Sequence, residues 1–190
     1  MPNYVDALGD AVRGAIRAYH GSPYDFDRFD ASKIGTGEGR ASHGHGFYMT
    51  KASDLAEYYR PKGGRVYEIE IPRSQDELMD WNTPVIQQPQ QIQDAVRELL
   101  DRDAVYLKGG KAYDQIAHHY GDGLSDSRAS DLLFERGIVG NTFLGARQGN
   151  AGRARNYVMF PGTEDSIRIL RKYGIGGAAA GAAMSDEEQY

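Results

Sequence analysis

The sequence predicts an α+β fold in which short strands form mainly antiparallel sheets and helices group in the middle of the chain. In residues 64–72, GRVYEIEIP, apolar residues alternate with glutamates, as in a half-buried strand. In residues 89–103, PQQIQDAVRELLDRD, apolar residues recur at helical spacing, as on the buried face of a helix. Strands and helices do not alternate strictly along the chain, which argues against a doubly wound parallel sheet.

The remaining elements follow from composition and turn signals. Segments with the β-branched and aromatic content of strands are 15–22, 46–50, 137–144, 156–160 and 165–173, the last of which also fits a short helix. Segments with helical periodicity are 53–60, with Ser53 as its N-cap, 110–121 and 125–137. Residues 22–39 form a long irregular segment, which we expect Tyr24, Phe26 and Phe29 to pin to the core.

The chain divides into a leader, one domain and a tail. Residues 1–17 carry apolar side chains at helical spacing, which predicts a short amphipathic leader helix. Residues 18–172 have the length and composition of a single domain. Residues 173–190 are rich in alanine and glycine and end in acidic residues, so we expect a tail outside the fold.

Composition excludes several function classes. The net charge of −5 argues against a constitutive nucleic-acid binder, which would normally have a basic face. The absence of cysteine rules out disulfides, thiolate metal sites and a thiol nucleophile. No signal peptide or membrane-spanning stretch is recognisable, so the expected location is the cytoplasm, with no membrane partner.

Three familiar kinds of site fit the residues poorly. His43 and His45 in HGH lack a third ligand at a suitable spacing, so no metal is predicted. The glycines of 35–39 follow a loop and do not form G-x-G-x-x-G, so they are interpreted as loop hinges and not as a phosphate cradle. The carboxylates are too scattered to single out a glycosidase pair, and Glu68 and Glu70 are expected to be solvated on the polar face of their strand.

A flat ring is the ligand that fits best. Tyr48, at the end of one strand, and Tyr59, on the next helix, are placed to sandwich an aromatic heterocycle. The unshielded backbone of Gly21 can pair with a carboxamide in the same plane. Gly44 and Gly46 would give a ligand room to approach the backbone closely. This combination describes a nicotinamide pocket.

Three segments resemble the signature segments of a known family: YHGS (19–22), GHGFYMTKASDLAEYY (44–59) and RNYVMF (155–160). In this order they resemble the ADP-ribosyltransferases of the poly(ADP-ribose) polymerase and diphtheria toxin type, the His-Tyr-Glu clan. Residues 19–39 and the NYVMF strand resemble more closely the ADP-ribosyltransferase-like domains of phage and mobile-element polyvalent proteins. The resemblance spans residues 18–172 and implies two packed, mainly antiparallel sheets with flanking helices. It also implies NAD as co-substrate.

The resemblance assigns roles to residues of the first two segments. His20 matches the histidine that hydrogen-bonds the adenosine-side ribose, Gly21 the backbone clamp on the nicotinamide carboxamide, and Ser22 a helper on the ribose or pyrophosphate side. Tyr48 matches the tyrosine under the nicotinamide ring. Tyr59 matches the aromatic residue that covers the ring, with Tyr58 as the alternative if the helix register shifts. Ala56 stands where the family has a carboxamide-binding serine.

The third segment departs from the family. Polymer-building members have glutamate where this chain has Asn156, giving a His20–Tyr48–Asn156 triad. The glutamate stabilises the positive charge that grows as nicotinamide leaves, an interaction of roughly 4 kcal/mol at 4 Å and an effective dielectric constant of 20. The amide oxygen of Asn156 can accept a hydrogen bond from the ribose hydroxyl, but the side chain carries no charge. The resemblance therefore implies mono-ADP-ribosylation and not polymer synthesis.

The acceptor is expected to meet the loop before the last signature strand. Arg147, Arg153 and Arg155 in residues 145–155 are candidates to contact NAD phosphates or the acceptor, a protein or nucleic acid of a bacterial host. A solvated loop is the alternative for these arginines. The resemblance to phage proteins implies a toxin or effector in the host cytoplasm, with delivery by a phage particle as one route. An NAD glycohydrolase and a catalytically inactive, NAD-binding or virion-associated module of the same fold are the alternative functions.

Overall fold

The computed structural model describes residues 15–36, 41–58, 60, 63–123, 126–145 and 153–174. The leader up to residue 14 and the tail from residue 175 lie outside the described residues, so their predicted structures stay predictions. The first described strand begins at Ile16 and the last ends at Tyr173.

The described residues form one mixed sheet of seven strands, in the order β4-β5-β6-β2-β1-β3-β7. The strands are β1 (Ile16–Ser22), β2 (Phe47–Thr50), β3 (Arg65–Ile71), β4 (Leu78–Asp80), β5 (Gly140–Leu144), β6 (Arg155–Met159) and β7 (Arg168–Tyr173). Only the β4–β5 pair is parallel among these strands. The predicted α+β class and mainly antiparallel pairing are confirmed, and residues 168–173 are a strand.

Four α-helices accompany the sheet: α1 (Ser53–Tyr58), α2 (Gln90–Leu99), α3 (Gly109–Tyr120) and α4 (Arg128–Phe134). The last three follow one another between β4 and β5, as the grouping of helical patterns predicts. Helix α1 connects β2 to β3 and packs against β1, β2 and β3.

The expected two sheets are replaced by two halves of one sheet that are joined narrowly at β1 and β2. Strand β1 pairs with β3 along its whole length, and β2 pairs with β6 from Phe47 to Thr50. Between β1 and β2, in contrast, one residue pair is in register, Tyr19 with Thr50. Beyond this pair, β1 and β2 have no further residues in register, and we call this unpaired stretch between the two central strands the gap.

Each face of the sheet has its own apolar core. Helices α2–α4 pack on one face against Met79 of β4, and this cluster includes Tyr113 and Phe160. The opposite face holds the alternate residues of β3, among them Tyr67, beneath Phe29 of the irregular segment. The apolar face predicted for β3 is confirmed, but the expected solvation of its glutamates is wrong. Glu68 is 8% exposed and accepts a hydrogen bond from the Tyr173 hydroxyl at 2.7 Å, and the Glu70 side chain is 15% exposed beside Arg168.

The irregular segment 23–36 is held on the second core by Tyr67. The Phe26 ring stacks on the Tyr67 ring at a centroid distance of 4.2 Å, and Phe29 is 4% exposed. The Tyr67 hydroxyl accepts a hydrogen bond from Phe26 N at 2.9 Å and donates one to Tyr24 O at 2.8 Å. Phe26 and Phe29 therefore anchor the segment as expected, whereas the Tyr24 side chain is 55% exposed.

Replacing Tyr67 by phenylalanine is expected to lower the free energy of unfolding by about 1–3 kcal/mol, because it leaves two backbone groups without their partner. The matched control is Tyr157→Phe, since Tyr157 is also fully buried but its hydroxyl has no hydrogen-bond partner among the described residues. Urea unfolding of both variants checks this. Equal stabilities for the two would show that the Tyr67 hydroxyl does not hold the segment.

Candidate functional site

The three signature segments become adjacent strands at the centre of the sheet. YHGS ends β1, FYMT forms β2 and RNYVM forms β6, in the spatial order β6-β2-β1. Segments separated by more than 100 residues in the chain thus meet beside the gap between β1 and β2.

His20 bridges the gap between β1 and β2. Its Nδ1 lies 2.8 Å from the Tyr48 carbonyl oxygen. Because a carbonyl only accepts, Nδ1 carries the proton, and in the neutral ring Nε2 presents a lone pair. Burial lowers the pKa of His20 below its usual value and outweighs the opposing effect of this hydrogen bond. The ring also meets Phe29 edge-on at 5.3 Å. The site therefore offers a neutral, oriented acceptor.

The lowered pKa of His20 predicts a dependence of stability on pH. The unfolded chain binds a proton at His20 near pH 6.5 and the folded chain only at lower pH. The free energy of unfolding should therefore be highest above pH 6.5 and should fall as the pH is lowered below it. His20→Asn can still donate to the Tyr48 carbonyl but does not titrate, so its loss should be smaller.

Urea unfolding at several pH values checks this prediction. Part of the loss will persist in His20→Asn, because burial also lowers the pKa of His43. Identical pH profiles for parent and variant would show that His20 does not titrate with a lowered pKa.

Tyr48 lies on the other side of the gap with its hydroxyl fixed by its own loop. The hydroxyl donates to Gly44 O at 2.9 Å and accepts from His43 N at 3.0 Å. Burial raises the pKa of Tyr48 far above its usual value, so the side chain stays a neutral phenol. The ring remains partly exposed, and as a fixed aromatic surface it suits stacking rather than proton transfer.

The glycines beside Tyr48 serve the packing of the protein itself. Gly44 has φ +103°, and a Cβ there would lie 2.8 Å from both Asn141 Nδ2 and Tyr113 Cζ. A Cβ at Gly46 would lie 2.3 Å from the Met159 carbonyl oxygen. The room expected here for a ligand is taken up by β5, β6 and α3.

Asn156 shares a sheet face with Tyr48. It lies opposite Thr50 in the β2–β6 pairing, so it is diagonal to Tyr48 at about 7–8 Å. The side chain is 7% exposed, and Oδ1 is buried without a hydrogen-bond partner among the described residues. A Cβ at Gly145 would lie 2.5 Å from Asn156 Nδ2, so this glycine makes room for the amide. A buried, unpartnered acceptor of this kind is costly unless a donor reaches it.

The remaining ligand-contact candidates lie around the same gap or outside the described residues. Gly21 and Ser22 follow the last β1 residue in register with β2. Ser22 Oγ already accepts from Tyr24 N at 3.1 Å and keeps its own proton to donate. On α1, Ala56 is buried and Tyr58 is 73% exposed. Tyr59, the expected cover of the ring, is outside the described residues, so its role stays a prediction.

The loop arginines are in different situations. Arg155 has its Nη1 3.2 Å from both Asp80 Oδ2 and Thr142 Oγ1, so its charge is used within the sheet. Arg153 is exposed, and Arg147 lies outside the described residues. Of the described pair, Arg153 is therefore the better candidate to meet an acceptor.

The residues that hold loop 41–46 were not predicted. Asn141 Nδ2 donates to His43 O at 2.9 Å, and the hydroxyl groups of Tyr113 and Ser130 bind the backbone of His45. These residues lie far from the loop in the chain, within patterns that otherwise indicate packing. His43 stacks on Phe143 at a centroid distance of 3.6 Å.

Within the described part of the chain, no group of three or more His, Asp or Glu side chains is arranged to hold a metal ion.

Comparisons with protein-family models, curated proteins and solved structures gave no match. None of the helices in the described ranges is long and apolar enough to cross a membrane.

Proposed function

We propose that this protein is an NAD-dependent mono-ADP-ribosyltransferase, which transfers ADP-ribose to a protein or nucleic acid of a bacterial host and releases nicotinamide. The observation that carries the proposal is the meeting of the three signature segments at the gap where β1 and β2 diverge. The fixed ring of Tyr48 and the acceptor Asn156 Oδ1 lie on one face of the sheet at this place. The acceptor His20 Nε2 belongs to a ring that packs near Phe29 and Tyr67 on the other face.

In the proposed reaction the nicotinamide ring stacks on Tyr48 and its carboxamide pairs with the backbone of Gly21. His20 Nε2 accepts a hydrogen bond from the adenosine-side ribose, and Asn156 Oδ1 accepts one from the 2′-hydroxyl of the nicotinamide ribose. The glycosidic bond breaks with oxocarbenium character, and nicotinamide leaves with the bonding electron pair. A nucleophile of the acceptor then attacks the anomeric carbon and gives up its proton. The site holds the reactants in position but supplies no negative charge beside the cation.

The uncharged Asn156 favours one second candidate, a module of the same fold that binds NAD without turning it over. One experiment separates the candidates: NAD labelled in its adenosine half is incubated with the purified protein and a bacterial lysate. Label on a macromolecule supports transfer, and nicotinamide release with free labelled ADP-ribose supports an NAD glycohydrolase. Binding of NAD without either product, in folded protein, supports the inactive module. The absence of binding would refute the proposal.

A further inference from the structure

Loop 41–46 is tied to the helical layer through a closed ring of hydrogen bonds at His45. His45 N donates to the Tyr113 hydroxyl at 3.0 Å, and Ser130 Oγ donates to His45 O at 2.7 Å. The two hydroxyl groups are 2.7 Å apart, and because the serine proton is used on the carbonyl, Tyr113 donates to Ser130. Both backbone groups of one loop residue are thus bound by side chains of α3 and α4.

The ring is deeply buried and its direction is fixed. Tyr113 and Ser130 are both 0% exposed. Hydrogen bonds in such a chain polarise one another, and an unpaired member in a dry environment is costly. Burial raises the pKa of Tyr113, so its hydroxyl keeps the proton that it donates to Ser130 Oγ.

The same loop holds the hydroxyl of Tyr48. His43 N and Gly44 O, two residues and one residue before His45, are the partners of that hydroxyl. The positive φ of Gly44 lets the loop turn tightly against Tyr113. The helical layer is therefore connected to the Tyr48 ring through one short stretch of backbone.

We propose that Tyr113 and Ser130 are positioning residues for the nicotinamide platform: they hold loop 41–46 and, through it, the ring of Tyr48. This inference rests on the proposed function for its consequence on NAD. Neither residue touches the ligand. Removing either hydroxyl should release the loop and weaken NAD binding while the sheet stays folded.

The test compares Tyr113→Phe and Ser130→Ala with Tyr157→Phe, which also removes a buried hydroxyl but breaks no hydrogen bond among the described residues. The Kd for NAD is measured by calorimetry, and folding by thermal unfolding. We expect the first two variants to bind NAD roughly five- to tenfold more weakly and the control to bind like the parent. Tyr48→Phe should have a similar effect, and adding Tyr113→Phe to it should weaken binding little further, because both act through the same loop.

The single tryptophan gives a readout that does not need NAD. The Trp81 ring centroid lies 5.6 Å from that of Tyr113 and 5.1 Å from that of His43. Tyr113→Phe and Ser130→Ala should each increase acrylamide quenching of Trp81 fluorescence by releasing the loop, and Tyr157→Phe should not.

The outcomes separate the two proposals. Weaker NAD binding together with increased Trp81 quenching in both variants supports the positioning role. If the parent binds NAD but the folded variants bind it equally well, or if their Trp81 quenching is unchanged, the positioning role is wrong and the proposed function stands. If the parent binds no NAD, the proposed function fails, and the role assigned to the loop fails with it.

Discussion

Replacing His20 by alanine is expected to reduce nicotinamide release from NAD by roughly 100-fold or more. The change removes both functions of the ring at once, namely the Nδ1 hydrogen bond to the Tyr48 carbonyl at 2.8 Å and the lone pair on Nε2. Loss of the first loosens the junction between β1 and β2. Loss of the second leaves a ribose hydroxyl unpaired in the proposed complex.

Two conservative variants, His20→Asn and His20→Gln, separate the two functions of the His20 ring. Asparagine retains a donor near the position of Nδ1 and lacks Nε2, so His20→Asn should fold like the parent and still lose most of its activity. In His20→Gln the longer side chain can replace the acceptor Nε2 better than it can replace the Nδ1 hydrogen bond to the Tyr48 carbonyl. His119→Ala, an exposed histidine at the end of α3, is the matched control and should keep full activity. Rates are followed as free nicotinamide by chromatography. Full activity of folded His20→Asn would show that Nε2 binds no substrate.

Changing Asn156 to aspartate is expected to raise nicotinamide release about tenfold, because it puts a negative charge where the oxocarbenium forms without changing the size of the side chain. The gain stays below the roughly 4 kcal/mol of an ideal charge pair, because burying a carboxylate is costly. Asn156 is 7% exposed, so the new carboxyl should have a raised pKa and the gain should increase with pH.

Two further variants complete this test. Asn156→Ala removes the acceptor Oδ1 and should lower the rate roughly tenfold. Gln75→Glu adds the same charge at an exposed position and should change nothing, which controls for net charge. Rates at several pH values are compared by nicotinamide release. If the aspartate, alanine and parent proteins react equally fast, Asn156 does not face the reacting ribose.

Local patterns predicted most elements of the fold. The alternation in β3 and the periodicity of α2 were sufficient, because each buries one face against a single core. Strand β4 was missed, since a strand of three residues has too few positions for an alternation to stand out. The joining of two halves into one sheet was also missed. It depends on one cross-strand pair, Tyr19 with Thr50, which leaves no trace in either segment.

The candidate site was predictable only in part. The quoted motifs led to His20, Tyr48 and Asn156, which the sheet brings to neighbouring strands. The hydroxyl pair of Tyr113 and Ser130 was not predictable, because long-range hydrogen bonds to backbone groups impose no spacing on the sequence. Gly44 and Gly46 were wrongly expected to make room for a ligand, because the atoms packed against them come from distant segments of the chain.

The central claim is that the gap between β1 and β2 binds the nicotinamide half of NAD. The most direct measurement is a calorimetric titration of NAD into the parent, Tyr48→Ala and His119→Ala, each shown to be folded, with nicotinamide release assayed in the same samples. We predict saturable binding by the parent and by His119→Ala, and a loss of at least roughly tenfold in affinity for Tyr48→Ala. Equal affinity of the parent and Tyr48→Ala, or no binding by the parent, would contradict it.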